Sequence, residues 1–148
     1  MRYLALFFFL CGACFAHTPQ FVKDFREEVK QYSYRHPQPS LSVLRERHYG
    51  NCVSFANLGA WWAIKHGFTA KLVVLTSEDE ELAHMVCVVW EPKDSYHKKR
   101  LWMFDNEDAY VADENDIPGS LSLGDDWLWE IPWTISYTHD VHTLEQLE

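Results

Sequence analysis

Residues 49–66 read YGNCVSFANLGAWWAIKH, a sharp turn followed by a helix-like run. Gly50 and Asn51 supply the turn signal, and the run over 53–66 predicts a helix with Cys52 at its start. The residues that share the Cys52 face at helical spacing are all small: Ala56, Gly59 and Ala63. Because small side chains let a helix axis come close to its neighbour, we expect this face to pack tightly on the rest of the domain.

Two helices are predicted before this stretch. Apolar residues at helical spacing follow Thr18 and Pro19: Phe21, Val22, Phe25 and Val29. The proline-containing segment 36–40 breaks that pattern. Ser40 can then cap a short second helix that runs to Arg47.

Strand signals dominate the chain after the Cys52 helix. Runs rich in β-branched and aromatic residues predict strands at 70–76, 84–91 and 100–105, with a fourth candidate at 133–138. The acidic segment 77–81 is interpreted as a solvated turn between the first two strands. Helices first and consecutive strands afterwards indicate an α+β domain, in which the N-terminal helices and the Cys52 helix pack on an antiparallel sheet.

Three residues of chemical interest stand at the ends of these elements. Cys52 begins the predicted helix, His84 begins the second strand, and Asp105 ends the third. A helix N-terminus favours a thiolate, a histidine can accept the thiol proton, and a carboxylate can orient the histidine. Thiol-based acyl transfer requires these groups, so we expect all three residues to be catalytic. His139 and His142 form an H-x-x-H pair without clustered cysteine or carboxylate ligands, so no metal and no other cofactor is expected.

The first sixteen residues have the composition of a secretory signal peptide. Arg2 supplies a positive start, residues 4–10 form an apolar run too short to span a bilayer, and Ala16 offers a small residue before a cut. We therefore expect a signal peptide at 1–16, a single domain at 17–148 and a periplasmic or secreted location. A retained membrane anchor is the alternative.

Charge and composition narrow the class of partner. The chain has 148 residues, of which 47% are apolar, enough for one domain with a core. Arg2 is the only charge that cleavage removes, which takes the net charge from −9 to −10. Such a surface repels nucleic acid and anionic lipid, so neither is an expected partner. Stable membrane insertion is not expected once the signal peptide has been cleaved. The expected partner is a protein or peptide substrate, with cell-wall peptides among the candidates.

A disulfide is the main alternative to a catalytic thiol. After cleavage Cys52 and Cys87 are the remaining cysteines, and an oxidising compartment invites a bridge between them. Strand alternation places residues 84 and 86 on one face and residues 85 and 87 on the other. If His84 points at the Cys52 helix, we expect Cys87 to point away from it, which makes a disulfide and a Cys52–His84 pair mutually exclusive.

Three short blocks around these residues resemble the signatures of one family. They are Gly50-Asn51-Cys52 before a helix, Ala83-His84-Met85-Val86 at a strand start and Phe104-Asp105-Asn106 at a strand end. In this order the blocks are similar to those of the transglutaminase-like cysteine peptidases, above all to the bacterial periplasmic branch. The resemblance implies a papain-like α+β fold and a Cys52–His84–Asp105 triad that hydrolyses amide or isopeptide bonds or transfers the acyl group to an amine.

Two features limit what the resemblance implies. Members of the periplasmic branch often carry acidic residues on both sides of the cysteine, whereas this chain has Asn51 before it and a Val-Ser pair after it. A calcium dependence linked to such acidic residues therefore does not transfer. The donor that would bind the oxyanion is also unassigned, and Tyr49 and Asn51 are candidates by their position in the sequence. Gln31 and Gln38 become candidates only if the fold brings them in.

Two other functions stay open at this level. An NlpC-type peptidoglycan peptidase also has a cysteine followed by a histidine on a related fold, with a polar third residue that Asp105 can supply. A non-enzymatic binding or inhibitory module keeps the fold without turnover and presents Trp127, Trp129 and Trp133 as an aromatic surface. We expect these tryptophans to pack in the core instead, because Trp is largely buried in most proteins.

Overall fold

The computed structural model describes residues 18–35, 38–91, 100–106, 108–121 and 131–147. This part contains a five-stranded antiparallel sheet and several helices, a mixed architecture compatible with the predicted α+β class. The predicted signal peptide at 1–16 lies outside the described residues, as do Trp127 and Trp129. No helix within the described ranges is long and apolar enough to cross a membrane.

Three helices precede the sheet, close to their predicted positions. They are α1 (Gln20–Val29), α2 (Leu41–Arg47) and α3 (Cys52–Lys65). The hydroxyl of Ser40 caps α2 as predicted, by accepting a hydrogen bond from the Val43 N–H. The side chain of Asn51 caps α3 in the same way, which is why this helix begins at Cys52, one residue earlier than its apolar pattern indicates.

The strands form two separate sheets. The small one is a parallel pair, β1 (Ser33–Tyr34) and β2 (Tyr49–Gly50), and β2 leads through Asn51 directly into α3. The large sheet consists of β3 (Thr69–Ser77), β4 (Ala83–Trp90), β5 (Leu101–Asp105), β6 (Asp108–Ala112) and β7 (Trp133–Val141). Its strand order is β6-β5-β4-β3-β7, and all neighbours are antiparallel.

The sequence pattern does not predict β6. The strand has five residues, Asp108–Ala112, and polar and acidic residues precede it in the sequence. Its apolar part is therefore too short to be distinguished from a loop. The tight connection from β5 to β6 is possible because Asn106 adopts a φ of 45°, a left-handed conformation that asparagine tolerates. β7 also extends beyond its predicted end, because pairing with β3 continues as far as Val141.

The large sheet separates two apolar clusters. The face covered by α1, α2 and α3 includes these buried strand residues: Leu72, Cys87, Val89, Trp102 and Phe104. The opposite face is covered in part by a one-turn helix, α4 (Ile117–Ser120), and includes Val73, Val86, Val88, Met103 and Tyr110. Trp133 belongs to this second cluster with 9% of its surface exposed, so for this tryptophan the prediction of a core residue is confirmed.

Gly59 is the point of close approach between α3 and the sheet. A Cβ atom at this position would lie 3.0 Å from the Cβ of Phe104 and 3.2 Å from the Cβ of Cys87. Its neighbours on the same helix face, Ala56 and Ala63, are buried as well. The predicted tight packing of this face is therefore confirmed, and it holds α3 firmly over β4 and β5.

Candidate active site

Cys52 is the first residue of α3, and its thiol lies half-buried at the N-terminal end of the helix. The side-chain oxygen of Asn51 accepts a hydrogen bond from the Ser54 N–H at 3.3 Å, which satisfies one of the unpaired donors at this end. The remaining N–H groups and the positive end of the helix dipole favour a negatively charged sulfur. This position suits a thiolate better than a thiol.

A split in the sheet lies next to this thiol. β4 pairs with β3 from Ala83 onwards, but it pairs with β5 only from Cys87 onwards. The first half of β4 therefore has no β5 neighbour. The backbone N–H of Met85, which lies in this unpaired half, is close to the Cys52 sulfur and favours its ionised form. The thiol thus occupies an edge of β4 that a longer β5 would have covered.

His84 and Asp105 meet on the face of the sheet opposite α3. By strand alternation His84 shares a face with Val86, and Asp105 shares a face with Met103, and both of these neighbours belong to the α4-side cluster. The Nε2 atom of His84 lies 2.7 Å from Oδ1 of Asp105. The two residues are 7% and 5% exposed, so solvent screens this contact little.

Two aromatic residues complete the surroundings of the His84–Asp105 pair. The hydroxyl of Tyr110 donates a hydrogen bond to Oδ2 of Asp105 at 3.3 Å, so each carboxylate oxygen has a donor. The ring of Trp133 lies 6.2 Å from the His84 ring, between centroids. The carboxylate is therefore fixed in orientation, and the imidazole is enclosed by apolar surface on one side.

The imidazole of His84 joins Cys52 to Asp105. Because Nε2 is used by Asp105, the other ring nitrogen, Nδ1, is left for the hydrogen bond that His84 makes with the Cys52 side chain. The split between β4 and β5 leaves room for the thiol to approach His84 from the α3 side of the sheet. The structure therefore brings all three predicted residues together, with His84 in the middle.

The ionisation of this group follows from its contacts. Burial alone would lower the pKa of His84, but the hydrogen bonds to Asp105 and Cys52 outweigh it and raise that pKa to about 9. Burial alone would raise the pKa of Cys52, but the hydrogen bonds from His84 and from the Met85 N–H outweigh it and lower that pKa. Both shifts act in the same direction: they favour a thiolate beside an imidazolium over a thiol beside a neutral imidazole.

The predicted orientation of Cys87 is wrong. Its side chain faces α3 at Gly59, because Cys52 and His84 meet at the edge of β4 and not on the face that α3 covers. Both thiols are free, and burial raises the pKa of Cys87.

The oxyanion candidates occupy different surroundings. Asn51 uses its side-chain oxygen to cap α3, and Tyr49 lies partly buried in β2. Gln31 and Gln38 are exposed. Their predicted role stays a prediction, because no described contact joins these side chains to Cys52.

Tyr34 was not predicted from the sequence, and its side chain lies beside Cys52. Tyr34 lies in β1, one helix earlier in the chain, and β1 pairs with β2 in a register that places Tyr34 opposite Gly50. The only local signal is a short extended run of aromatic and polar residues at 32–35, just before two prolines. Such a run does not show which strand it will pair with.

No group of three or more His, Cys, Asp or Glu residues suited to a metal ion occurs in the described part of the chain. Comparisons with protein-family models, with curated proteins and with solved structures found no match for this chain.

Proposed function

We propose that the protein is a thiol hydrolase that cleaves amide or isopeptide bonds through an acyl-enzyme on Cys52. The observation that carries this proposal is the double engagement of His84, with Asp105 at 2.7 Å on one ring nitrogen and Cys52 on the other. A half-buried thiol beside an imidazole that a carboxylate orients has the arrangement of a reactive nucleophile next to a proton donor. A cysteine with a purely structural role needs neither the histidine nor the carboxylate beside it.

The proposed reaction begins with attack of the Cys52 sulfur on the substrate carbonyl carbon. The C–S bond forms while the carbonyl π electrons move to oxygen, which gives a tetrahedral oxyanion. When this intermediate collapses, the C–N bond breaks and the leaving amine takes a proton from Nδ1 of His84. Neutral His84 then takes a proton from water as the water attacks the thioester, and departure of the thiolate restores the ion pair.

Asp105 has a supporting role in this proposal. It accepts a hydrogen bond from Nε2 of His84, which keeps Nδ1 directed at the thiolate and stabilises the imidazolium. An amine in place of water would give acyl transfer by the same steps. The substrate proposed here is a protein or peptide, because the chemistry requires an amide and the acidic surface disfavours nucleic acid.

We extend the proposal to family, fold and location. A cysteine at the start of a buried helix, with histidine and aspartate on neighbouring antiparallel strands, supports a papain-like core of the transglutaminase-like type. The composition of residues 1–16 supports export after cleavage behind Ala16. N-terminal sequencing of protein from the periplasm or medium should therefore begin at His17, and an intact Met1 there would exclude export by cleavage.

Acylation with p-nitrophenyl acetate tests the proposed reaction. The expected result is a burst of nitrophenolate equal to the enzyme present, followed by steady turnover, with the acetyl group mapped to Cys52. Cys52→Ala is the matched control and should show neither phase. Acetylation of Cys52 without turnover would favour the binding module, because His84 would then fail to activate water. Peptide pools with amide, isopeptide and cell-wall linkages then identify the natural bond.

A second measurement tests the ion pair by itself. The rate of Cys52 alkylation by iodoacetamide should follow a pKa below the value of about 8.5 for a free thiol. Deprotonation raises the reactivity, so the rate should already be high at pH values where an ordinary thiol is protonated. His84→Ala should shift this profile to higher pH, because the lowering of the Cys52 pKa comes first from the His84 hydrogen bond. Coincident profiles for the two proteins would exclude the pair.

A further inference from the structure

The phenol of Tyr34 lies beside Cys52, close to both the sulfur and the backbone N–H of that residue. Tyr34 is 44% exposed. It is therefore next to the nucleophile and also open to an incoming substrate.

The position of this phenol is fixed by three contacts. The Arg35 N–H donates to the Gly50 carbonyl at 2.7 Å, and the Ser33 N–H donates to the His48 carbonyl at 2.9 Å, which ties β1 to the segment before α3. The ring of Tyr34 lies parallel to the ring of Phe55, with centroids 6.4 Å apart and planes inclined by 2°. Phe55 is a buried residue of α3, so the helix that carries the thiol also positions the phenol.

Geometry relates these contacts to the oxyanion. When a carbonyl carbon bonds to sulfur, the carbonyl oxygen comes to lie next to that sulfur and to the N–H of the same cysteine, and its hydrogen-bond donors should lie about 3 Å from it. Tyr34 reaches both of these atoms before a substrate is present. A donor in this position needs only a small rotation to follow negative charge as it moves from sulfur to oxygen.

We propose that Tyr34 is a further catalytic residue of the proposed thiol hydrolase, and that its O–H and the Cys52 N–H together form the oxyanion hole. In the resting enzyme the O–H binds the thiolate. During attack the sulfur electron pair forms the C–S bond, the π pair moves to the carbonyl oxygen, and the O–H donates to that oxygen without losing its proton. This assignment rests on the proposed function, because a protein without acyl transfer has no oxyanion to bind.

The phenol stays protonated at working pH. Burial and the nearby charge of Cys52 both raise the pKa of Tyr34. A neutral phenol is a hydrogen-bond donor, whereas a phenolate beside a thiolate would repel the oxyanion. The environment therefore keeps Tyr34 in the form that the proposal needs.

Tyr34→Phe tests the proposal with two reagents. Acylation by p-nitrophenyl acetate passes through an oxyanion, whereas alkylation by iodoacetamide displaces iodide at a saturated carbon and does not. Both rates should be measured on the pH plateau where Cys52 is fully ionised, so that a change in the thiol pKa does not contribute. We expect acylation to fall by roughly 100-fold to 1,000-fold, as for loss of one oxyanion donor, and alkylation to change by less than about threefold. The phenylalanine ring keeps the contact with Phe55, so the fold should be retained.

Tyr32→Phe is the matched control. Tyr32 lies two positions earlier and also packs near Phe55, but its hydroxyl donates to Glu28 and not to Cys52. The Tyr32→Phe variant should leave both the acylation rate and the alkylation rate nearly unchanged. Equal acylation in wild type and Tyr34→Phe would overturn the oxyanion role alone, as would an equal loss of acylation and alkylation. A wild type that is alkylated at low pH but never acylated would overturn the proposed function and the Tyr34 assignment with it.

Discussion

Cys52→Ala and His84→Ala should each abolish nearly all hydrolysis, and the double variant should be no worse than either single one. We expect losses of roughly 10⁴-fold to 10⁶-fold in kcat for each, because the nucleophile and its proton donor act as one unit. The contact of His84 with both Cys52 and Asp105 is the structural basis for this expectation. Steady-state kinetics on the peptide or ester substrate provides the measurement.

Two further variants serve as controls for this result. Asp105→Asn should cause a smaller loss, because it keeps the shape of the contact with Nε2 and removes neither nucleophile nor base. Cys87→Ala removes the other thiol, which lies buried against Gly59 and away from the site, and should retain activity. Losses that multiply in the Cys52→Ala, His84→Ala double variant would mean that the residues act independently, which the proposed mechanism does not allow.

Gly50→Ala should strongly lower both stability and activity. An added Cβ would lie 2.5 Å from the Cβ of Ser54 and 2.6 Å from Cδ1 of Leu44. Ser54 is a backbone-fixed position in the first turn of α3, and Leu44 is fully buried, so neither can move aside easily. We expect a loss of about 3 kcal/mol in the free energy of unfolding, at the upper end for overpacking, together with displacement of Cys52 from His84. Urea unfolding and the alkylation profile measure the two effects.

Gly67→Ala is a control for Gly50→Ala, because it tests the effect of backbone strain without steric crowding. Gly67 has a φ of +79° with open space around its Cβ position, so this variant strains the backbone without a clash. It should lower stability by about 1 kcal/mol and leave Cys52 reactivity unchanged. A Gly50→Ala protein as stable as Gly67→Ala, with normal alkylation, would show that the start of α3 is not held by the close approach of β2.

Local sequence patterns were sufficient for the element ends that carry the candidate site. The Gly50-Asn51 turn signal and apolar spacing predict a helix with Cys52 at its start, and β-branched runs predict strands that begin at His84 and end at Asp105. Small residues on one side of α3 predict its close contact with the sheet. Such signals can be read from sequence because helix capping and side-chain periodicity involve residues only a few positions apart.

Pairing between strands that are distant in the sequence decided how the residues of the candidate site are placed relative to one another. The β4–β5 register ends at Cys87, and the resulting split is what lets a thiol on the α3 side reach an imidazole on the opposite face. The same register places Cys87 under α3. The sequence-based prediction was the reverse, because it assumed that His84 points towards the Cys52 helix. Tyr34 reaches Cys52 because β1 pairs with β2 across the whole of α2. Sequence alone identified Cys52, His84 and Asp105 as candidates, whereas strand register, which depends on contacts far apart in the chain, decided that they meet and that Tyr34 joins them.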